Sequence, residues 1–316
     1  MDRRAVVAVG GNALIMEGQQ GTIAEQFDNA RAAARQIGGL VSAGWGVVVT
    51  HGNGPQVGFI LLRSEMVREG PFVPSLSLDM AGADSEGGVG YIMANSLGNE
   101  LARRGLVDRV ACILTRTVVD GSDPAFSAPS KPIGGAFSAE QAERHRTFDG
   151  WTMVEDAGRG FRRVVPSPRP VRIVETAAIR ALADAGLVVV AAGGGGIPVL
   201  EEAPGVYRGV EAVIDKDLVS GLLASSLGVP TLVICTGVER VAVRFRQPDQ
   251  RLLDQVTVDE MREYLAAGEF PAGSMGPKVR AAIEFIERGG QEVVITSLGC
   301  LEAAVAGRTG TRIVQA

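Results

Sequence analysis

The 316-residue chain predicts an α/β sandwich, with helices on both faces of a parallel sheet and a small inserted lobe. Three observations carry this prediction. Short β-branched runs recur along the chain, helical periodicity fills the gaps between them, and one segment, from about 120 to 166, breaks the rhythm. A strand buried on both faces is continuously apolar, and strands of that kind alternating with helices make a layered α/β domain.

In order, the strands are Ala5–Val9 (AVVAV), Gly46–Thr50 (GVVVT), Val110–Leu114 (VACIL), Leu187–Ala191 (LVVVA), Thr231–Cys235 (TLVIC) and Glu292–Thr296 (EVVIT). Between the first two, Phe27, Ala30, Ala34, Ile37 and Val41 follow helical spacing and stop at Gly44. Leu218, Leu222, Leu223 and Leu227 mark a helix that ends at Gly228, and Val279, Ala282, Ile283 and Ile286 mark another that stops at Gly289-Gly290. The segment from about 120 to 166 is rich in Pro, Gly, Arg and aromatics (Phe126, Phe137, Phe148, Trp151, Phe161), enough for a small core of its own. It reads as a lobe inserted after the third strand.

Net charge is −5, and no basic cluster is long enough to track a nucleic-acid backbone, so nucleic acid and anionic membranes are poor partners. Cys112, Cys235 and Cys300 are scattered in or beside apolar runs and read as core residues of a protein in a reducing compartment. The N-terminus lacks a long apolar segment, and the longest apolar run, Leu187–Leu200, is interrupted by glycines. A soluble cytoplasmic protein is expected.

Ligands of open α/β sheets sit beyond the carboxyl ends of the strands. Four such ends are glycine-rich here: Gly10-Gly11-Asn12, His51–Gly58 (HGNGPQVG), Gly193–Gly196 and Thr236-Gly237-Val238. Their N–H groups suit phosphate oxygens, and Pro55 fits the first turn of a helix that aims N–H groups above Asn53. Neither GxxxxGK[ST] nor GxGxxG occurs, which disfavours a P-loop ATPase or a dinucleotide dehydrogenase. Of the two histidines, His145 reads as a surface imidazole and His51 as a strand-end residue that orients a loop.

Only three of the 31 basic residues are lysine: Lys131, Lys216 and Lys278. Lys278 follows the Gly273–Pro277 stretch (GSMGP), with Pro277 read as the first residue of its helix, and Lys216 opens a helix between Asp215 and Asp217. Both lysines oppose the helix dipole, a conflict that a bound anion removes. Lys131, in Ser130–Gly135 (SKPIGG), sits in a polar stretch read as a loop that packing does not explain. An ammonium is a compact charge able to follow a moving phosphoryl group, and phosphoryl transfer relies on such charges for positioning and stabilisation.

Nine ordered blocks, spanning about residues 5 to 314, together resemble the carbamate kinases of the amino-acid kinase superfamily. They are Val9–Ala13 (VGGNA), Thr50–Gly58 (THGNGPQVG), Lys131–Gly134 (KPIG), Glu155–Gly160 (EDAGRG), Val165–Pro168 (VPSP), Gly193–Pro198 (GGGGIP), Gly209–Asp217 (GVEAVIDKD), Gly273–Lys278 (GSMGPK) and Ile295–Leu298 (ITSL). The resemblance implies an open three-layer α/β/α sandwich of about eight strands and a homodimer. It also implies reversible, direct phosphoryl transfer between carbamoyl phosphate and ADP, giving carbamate and MgATP. The N-terminal half, about 1–205, would bind carbamate and carbamoyl phosphate, with the lobe mobile; the C-terminal half, about 206–316, would bind nucleotide. Gly10, Gly11, Asn12, Gly52, Asn53 and Gly54 would cradle carbamate and the phosphoryl group. Lys131 would reach in from the lobe, Lys216 would stabilise the transferring group, and Asp217 would organise the lysines. Lys278 would hold nucleotide phosphates, and Asp215, Thr236, Gly237, Val238 and Met275 would border the nucleotide. Magnesium would accompany ATP or ADP, with no protein metal site.

Three positions depart from the pattern. Glu86 stands where relatives usually have glutamine; a carboxylate facing the site would repel phosphate, and the expectation is that it faces solvent or an arginine instead; Glu239 replaces an aspartate near the nucleotide; Gly299-Cys300 is read as a packing variant. The rival readings are another kinase of the superfamily, acting on a larger carboxylate or UMP, and a nucleotide-binding sensor without turnover. The first would need a basic or amide cluster near Asn53, and the second would not need three lysines with Asp217.

Overall fold

The computed structural model describes residues 3–11, 14–16, 18–67, 74, 76–156, 160–271 and 273–315. Its main sheet has eight strands in the spatial order Gln255–Thr257, Thr311–Val314, Glu292–Ser297, Thr231–Thr236, Arg4–Val9, Gly46–His51, Val188–Val190, Val110–Cys112. Every adjacent pair is parallel except Glu292–Ser297 with Thr311–Val314. The six strands legible as apolar runs are all in it. Gln255–Thr257 and Thr311–Val314 are too short and too polar to stand out as such runs.

The described helices are α1 (Ile23–Ser42), α2 (Gly54–Met66), α3 (Leu78–Arg103), α4 (Ala139–Asp149), α5 (Thr176–Asp184), α6 (Lys216–Leu227), α7 (Val258–Ala266), α8 (Met275–Glu287) and α9 (Leu301–Val305). The pleat of the sheet divides them. Val6, Val48, Leu232 and Ile234 point into one core with Ile179 of α5, Leu223 of α6, Met261 of α7 and Phe285 of α8. Their neighbours Val7, Val49, Val233 and Cys235 point into the opposite core with Ala30 and Ile37 of α1, Met93 and Leu97 of α3 and Leu301 of α9. Burial of each large side chain contributes about 1.5–3 kcal/mol, and the two cores together fix the three layers.

This topology positions the site. From the central Arg4–Val9 strand the chain next adds Gly46–His51 on one side, whereas Thr231–Thr236 lies on the other. The connections on the two sides of that strand diverge, so a crevice opens over its carboxyl end.

Within the segment that breaks the sequence rhythm, Lys131–Phe137, Gly160–Val165 and Thr152–Asp156 form a separate antiparallel sheet with α4 beside it. Lys131 is therefore in a strand, opposite Val165, not in a loop. His145 is not a surface imidazole. It stacks on Trp151 with centroids 4.2 Å apart, and its Nδ1 lies 2.7 Å from Asp149 Oδ2. Arg163 covers the other ring partner, its guanidinium 4.3 Å from the Trp151 centroid. Phe126 belongs elsewhere, packing on the core under α6 and α8. Ile133 and Val165 seat this small sheet on Val57 and Leu61 of α2 and Leu78 and Ala81 of α3.

Two further features differ from the sequence prediction. A four-stranded sheet of Val206–Gly209, Ile197–Ala203, Arg116–Val119 and Pro170–Ile173 is not marked in the sequence, because its strands are short and mix apolar residues with Pro, Arg and Glu instead of forming unbroken β-branched runs. Cys112 is exposed on the edge strand Val110–Cys112; Cys235 is buried and Cys300 partly so.

Candidate active site

The glycine turns meet over the carboxyl end of the central strand. The Gly52 N–H donates to Val9 O at 3.0 Å, and a Cβ at Gly52 would come within 2.6 Å of the Gly11 nitrogen. Only glycine allows that approach, because backbone cannot yield as a side chain does. Gly10 backs onto the Cys235 carbonyl, 3.0 Å from where its Cβ would sit. Asn12 lies outside the described residues.

Asn53 precedes α2, whose first turn contains Pro55, and makes no side-chain cap to it. Its Nδ2 donates instead to Ser85 Oγ of α3 at 2.7 Å. The Gly193–Gly195 turn presses on Asn53 from the other side: a Cβ on Gly194 would lie 2.1 Å from Asn53 Nδ2, and Gly194, Gly195 and Gly196 all have positive φ. Gly10, Gly11, Gly52 and Asn53 thus form one backbone-lined floor, and Gly54, the first residue of α2, follows it with open space where a Cβ would sit.

His51 closes that floor from below. It is 1% exposed, and burial, with a contribution from nearby Lys216, lowers its imidazole to about 4. A neutral, enclosed ring beside Gly52 O (3.2 Å) and Gly193 suits a residue that orients turns.

The charged side of the site is built on the first turns of α6 and α8. Asp215 caps α6, its Oδ1 accepting from the Asp217 N–H at 3.0 Å, and its Oδ2 accepts from Lys131 Nζ at 3.1 Å. Asp217 is bridged by two lysines, with Lys216 Nζ 2.5 Å from Oδ1 and Lys278 Nζ 3.1 Å from Oδ2. Burial opposes ionisation of Asp217, but the two ammonium groups outweigh it and hold the carboxyl below the ordinary aspartate range. The helix-dipole conflict of Lys216 and Lys278 is thereby reduced locally.

Three ammonium groups share two carboxylates, so one positive charge is left for an anion. Lys216 also lies close enough to His51 and Cys235 to bias both electrostatically, which links this cluster to the strand ends.

Thr236 ends its strand; Gly237 and Val238 form the following bend, and Met275 is the first residue of α8, half-buried against the core beneath α6. Pro277 lies at the third position of α8, because the helix begins at Met275. Glu239 accepts from the Thr309 hydroxyl. Glu86 does not face solvent or an arginine: it is buried, its carboxylate accepting from Gly193 N at 3.0 Å and from Thr115 N at 3.2 and 3.3 Å. Sequence reasoning misses Ser85 and Thr115 as part of the site, and it marks Glu86 only as a departure from glutamine. The available signal was a charged residue among small ones, in Ala81–Gly90 (AGADSEGGVG).

Comparison with known proteins agrees with this geometry. Residues 3–297 match the amino acid kinase family. The chain is 47% identical over 314 residues to a carbamate kinase of Thermococcus kodakarensis, covering 99% of each. It is 45% identical to a carbamate kinase-like protein of Escherichia coli, covering 100% of each. Among solved structures, a carbamate kinase from Giardia lamblia bound to AMP-PNP superposes with a TM-score of 0.93 at 40% identity, with 99% of each chain covered.

Proposed function

The chain belongs to the amino acid kinase family, and we propose that it is a carbamate kinase, transferring a phosphoryl group reversibly between carbamoyl phosphate and ADP. The observation that carries this reading is the Lys216–Asp217–Lys278 bridge, set beside the glycine floor and joined through Asp215 to Lys131. In the direction of ATP formation, a β-phosphate oxygen of ADP attacks the phosphorus of carbamoyl phosphate in line. The bond from phosphorus to the carbamoyl oxygen breaks, and carbamate leaves as an anion. The phosphoryl group arrives activated, so no covalent enzyme intermediate is required, and the protein supplies alignment, charge and exclusion of water.

In this reading Gly10, Gly11, Asn12, Gly52, Asn53 and Gly54 hold carbamate and the transferring group, within an N-terminal half of about residues 1–205. Lys131 reaches the carbamoyl phosphate from a lobe of about 120–166 that closes over it. Lys216 follows the phosphoryl group, Asp217 holds Lys216 and Lys278 apart at fixed distance, and Lys278 contacts nucleotide phosphates. Asp215, Thr236, Gly237, Val238 and Met275 border the nucleotide in a C-terminal half of about 206–316. Magnesium belongs to the nucleotide: Asp215 and Asp217 are already engaged by lysines, so the ion's ligands would be phosphate oxygens and water. The active form is proposed to be a cytoplasmic homodimer working in arginine metabolism. Among the described residues, no helix is long and apolar enough to cross a membrane.

The test is a coupled assay for ATP from ADP and carbamoyl phosphate, beside ATP-consuming assays with glutamate, acetylglutamate, aspartate and UMP. Turnover confined to carbamoyl phosphate supports the reading. Preference for any of the others replaces it with another kinase of the family, and no turnover at all leaves a nucleotide-binding protein.

A further inference from the structure

Beneath the glycine floor lies a carboxyl group that the transfer reaction does not use directly. Glu86 is 2% exposed in the middle of α3. Its partners are backbone donors at two neighbouring strand ends: Gly193 N to Oε1, and Thr115 N shared between Oε1 and Oε2. Thr115 Oγ1 in turn accepts from Ala192 N at 2.8 Å, and Ala192 takes a left-handed conformation (φ 51°) that is rare for a residue with a Cβ.

Two N–H groups at the start of the turn are thus pinned from below. Gly195 N and Gly196 N bond back to Ala192 O and Gly193 O at 3.1 and 3.0 Å. None of these hydrogen bonds among the described residues uses the Gly194 N–H, and Gly194 is the residue that abuts the Asn53 amide.

We propose that Glu86 is a positioning residue for the anion-binding floor: it fixes the Gly193–Gly196 turn against His51 and Asn53, and its charge state sets how strongly that floor holds the phosphorylated substrate. The inference rests on the carbamate kinase reading for the identity of that substrate. When Glu86 is neutral, the surplus positive charge of the lysine cluster acts on the anion alone. When it is ionised, a buried negative charge lies one peptide layer below the floor, where poor screening lets it oppose a bound phosphate.

Burial, only partly offset by the Thr115 and Gly193 N–H groups, pushes Glu86 up to about 8, so the change of charge falls in an accessible range. The titratable groups around it are His51, held neutral; Glu175, paired with Arg116 and raising Glu86 slightly; and Cys112. His51 titrates near 4, and the Cys112 thiol, which packs on α3 at Gly90 although the residue as a whole is exposed, is pushed up to about 11 by that desolvation and by nearby Glu86, so neither changes charge near 8.

The experiment measures KM for carbamoyl phosphate and kcat in ATP formation across the pH range around 8, for the wild type and Glu86→Gln. In the wild type, KM should rise roughly tenfold on the alkaline side while kcat changes much less. Glu86→Gln keeps the shape and one acceptor, and its KM should stay flat. A residue that merely supports the fold would alter stability at every pH without moving this profile. Equal pH dependence in both proteins overturns the proposal.

If Glu86→Gln does not fold, the Gly193 and Thr115 amide resonances of the wild type decide. They should titrate together with a midpoint near the same pH, and fixed resonances overturn the idea. If the wild type makes no ATP, the carbamate kinase reading fails separately. Sulfate, whose own charge is constant in this range, then serves as the probe by calorimetry. Its affinity for the wild type should fall on the alkaline side, and an unchanged affinity sinks the role of Glu86.

Discussion

Lys216 and Lys131 carry the same ammonium group in two different settings. Lys216 belongs to the first turn of α6, its side chain 13% exposed, locked with Lys278 onto the buried Asp217. Lys131 belongs to the separate three-stranded sheet, its side chain 42% exposed, and touches the main body through one carboxylate, Asp215. A buried charge held by a buried partner is preorganised and loses little entropy at the moment of reaction, whereas an exposed pair contributes little stability and is easily exchanged. The difference separates a charge fixed in the main body from one carried on a separate sheet, which the proposed lobe closure would deliver. Asp215 stands between the two, capping α6 with one oxygen and holding Lys131 with the other.

Breaking the fixed side should have the largest effect. Asp217→Asn keeps the shape but leaves Lys216 and Lys278 without their shared counter-charge, so the two ammonium groups repel. Loss of such an organiser is expected to cost about 2–4 kcal/mol in the barrier, a kcat lower by roughly 30- to 1000-fold, with the fold intact by circular dichroism. Near-wild-type kinetics would reduce Asp217 to a favourable acidic residue in the first turn of α6. Lys216→Arg tests the same side by shape alone, since a planar fork replaces a compact charge, and a smaller but still severe loss is expected.

On the delivered side, Lys131→Arg should lower turnover by roughly tenfold, because an exposed side chain on a separate sheet has room to adapt. Chemical labelling sharpens the comparison. With three lysines and one α-amino group in the chain, an acetylating reagent has four amine targets that mass spectrometry assigns individually. MgADP alone should protect Lys278 and Lys216, while protection of Lys131 should also require a carbamoyl phosphate analogue. Equal labelling of all three lysines with and without ligands, together with active arginine variants, would remove the distinction between fixed and delivered charge.

How far this was legible in sequence depended on whether a residue's role left a local trace. The central strands announce themselves because burial on both faces demands unbroken β-branched runs, as in Ala5–Val9 and Thr231–Cys235. The lysines stood out through composition, and the structure brings all three onto Asp215 and Asp217. What lies beneath the floor is marked in sequence only by the departure at Glu86, which does not say where its carboxyl group points. Glu86 is 29 residues from Thr115 and 107 from Gly193, and only tertiary contact shows that its carboxyl group meets both rather than solvent. His145 looked like a surface residue because its segment is polar. Its burial comes from Phe137, Trp151 and Asp149, which meet only when the small sheet forms.

A separate expected effect concerns stability rather than turnover, and it isolates the floor from both lysine regions. His51 is lowered to about 4 from an ordinary value of 6.5, chiefly by burial, so between those values the unfolded chain binds a proton that the folded chain refuses. The sign follows from linkage: stability is fully present above about 6.5 and is lost as pH falls toward 4. The loss attributable to this one ring is on the order of 3 kcal/mol. His51→Asn, which has no titrating ring, should be less stable than the wild type at neutral pH because of the space left beside Gly193. Its denaturant midpoint should nevertheless fall less between pH 7 and the acid side. The measurement is urea unfolding at successive pH values with wild type and variant side by side. Parallel curves would mean that His51 is protonated within the fold without penalty, and that the floor is wetter than its burial indicates.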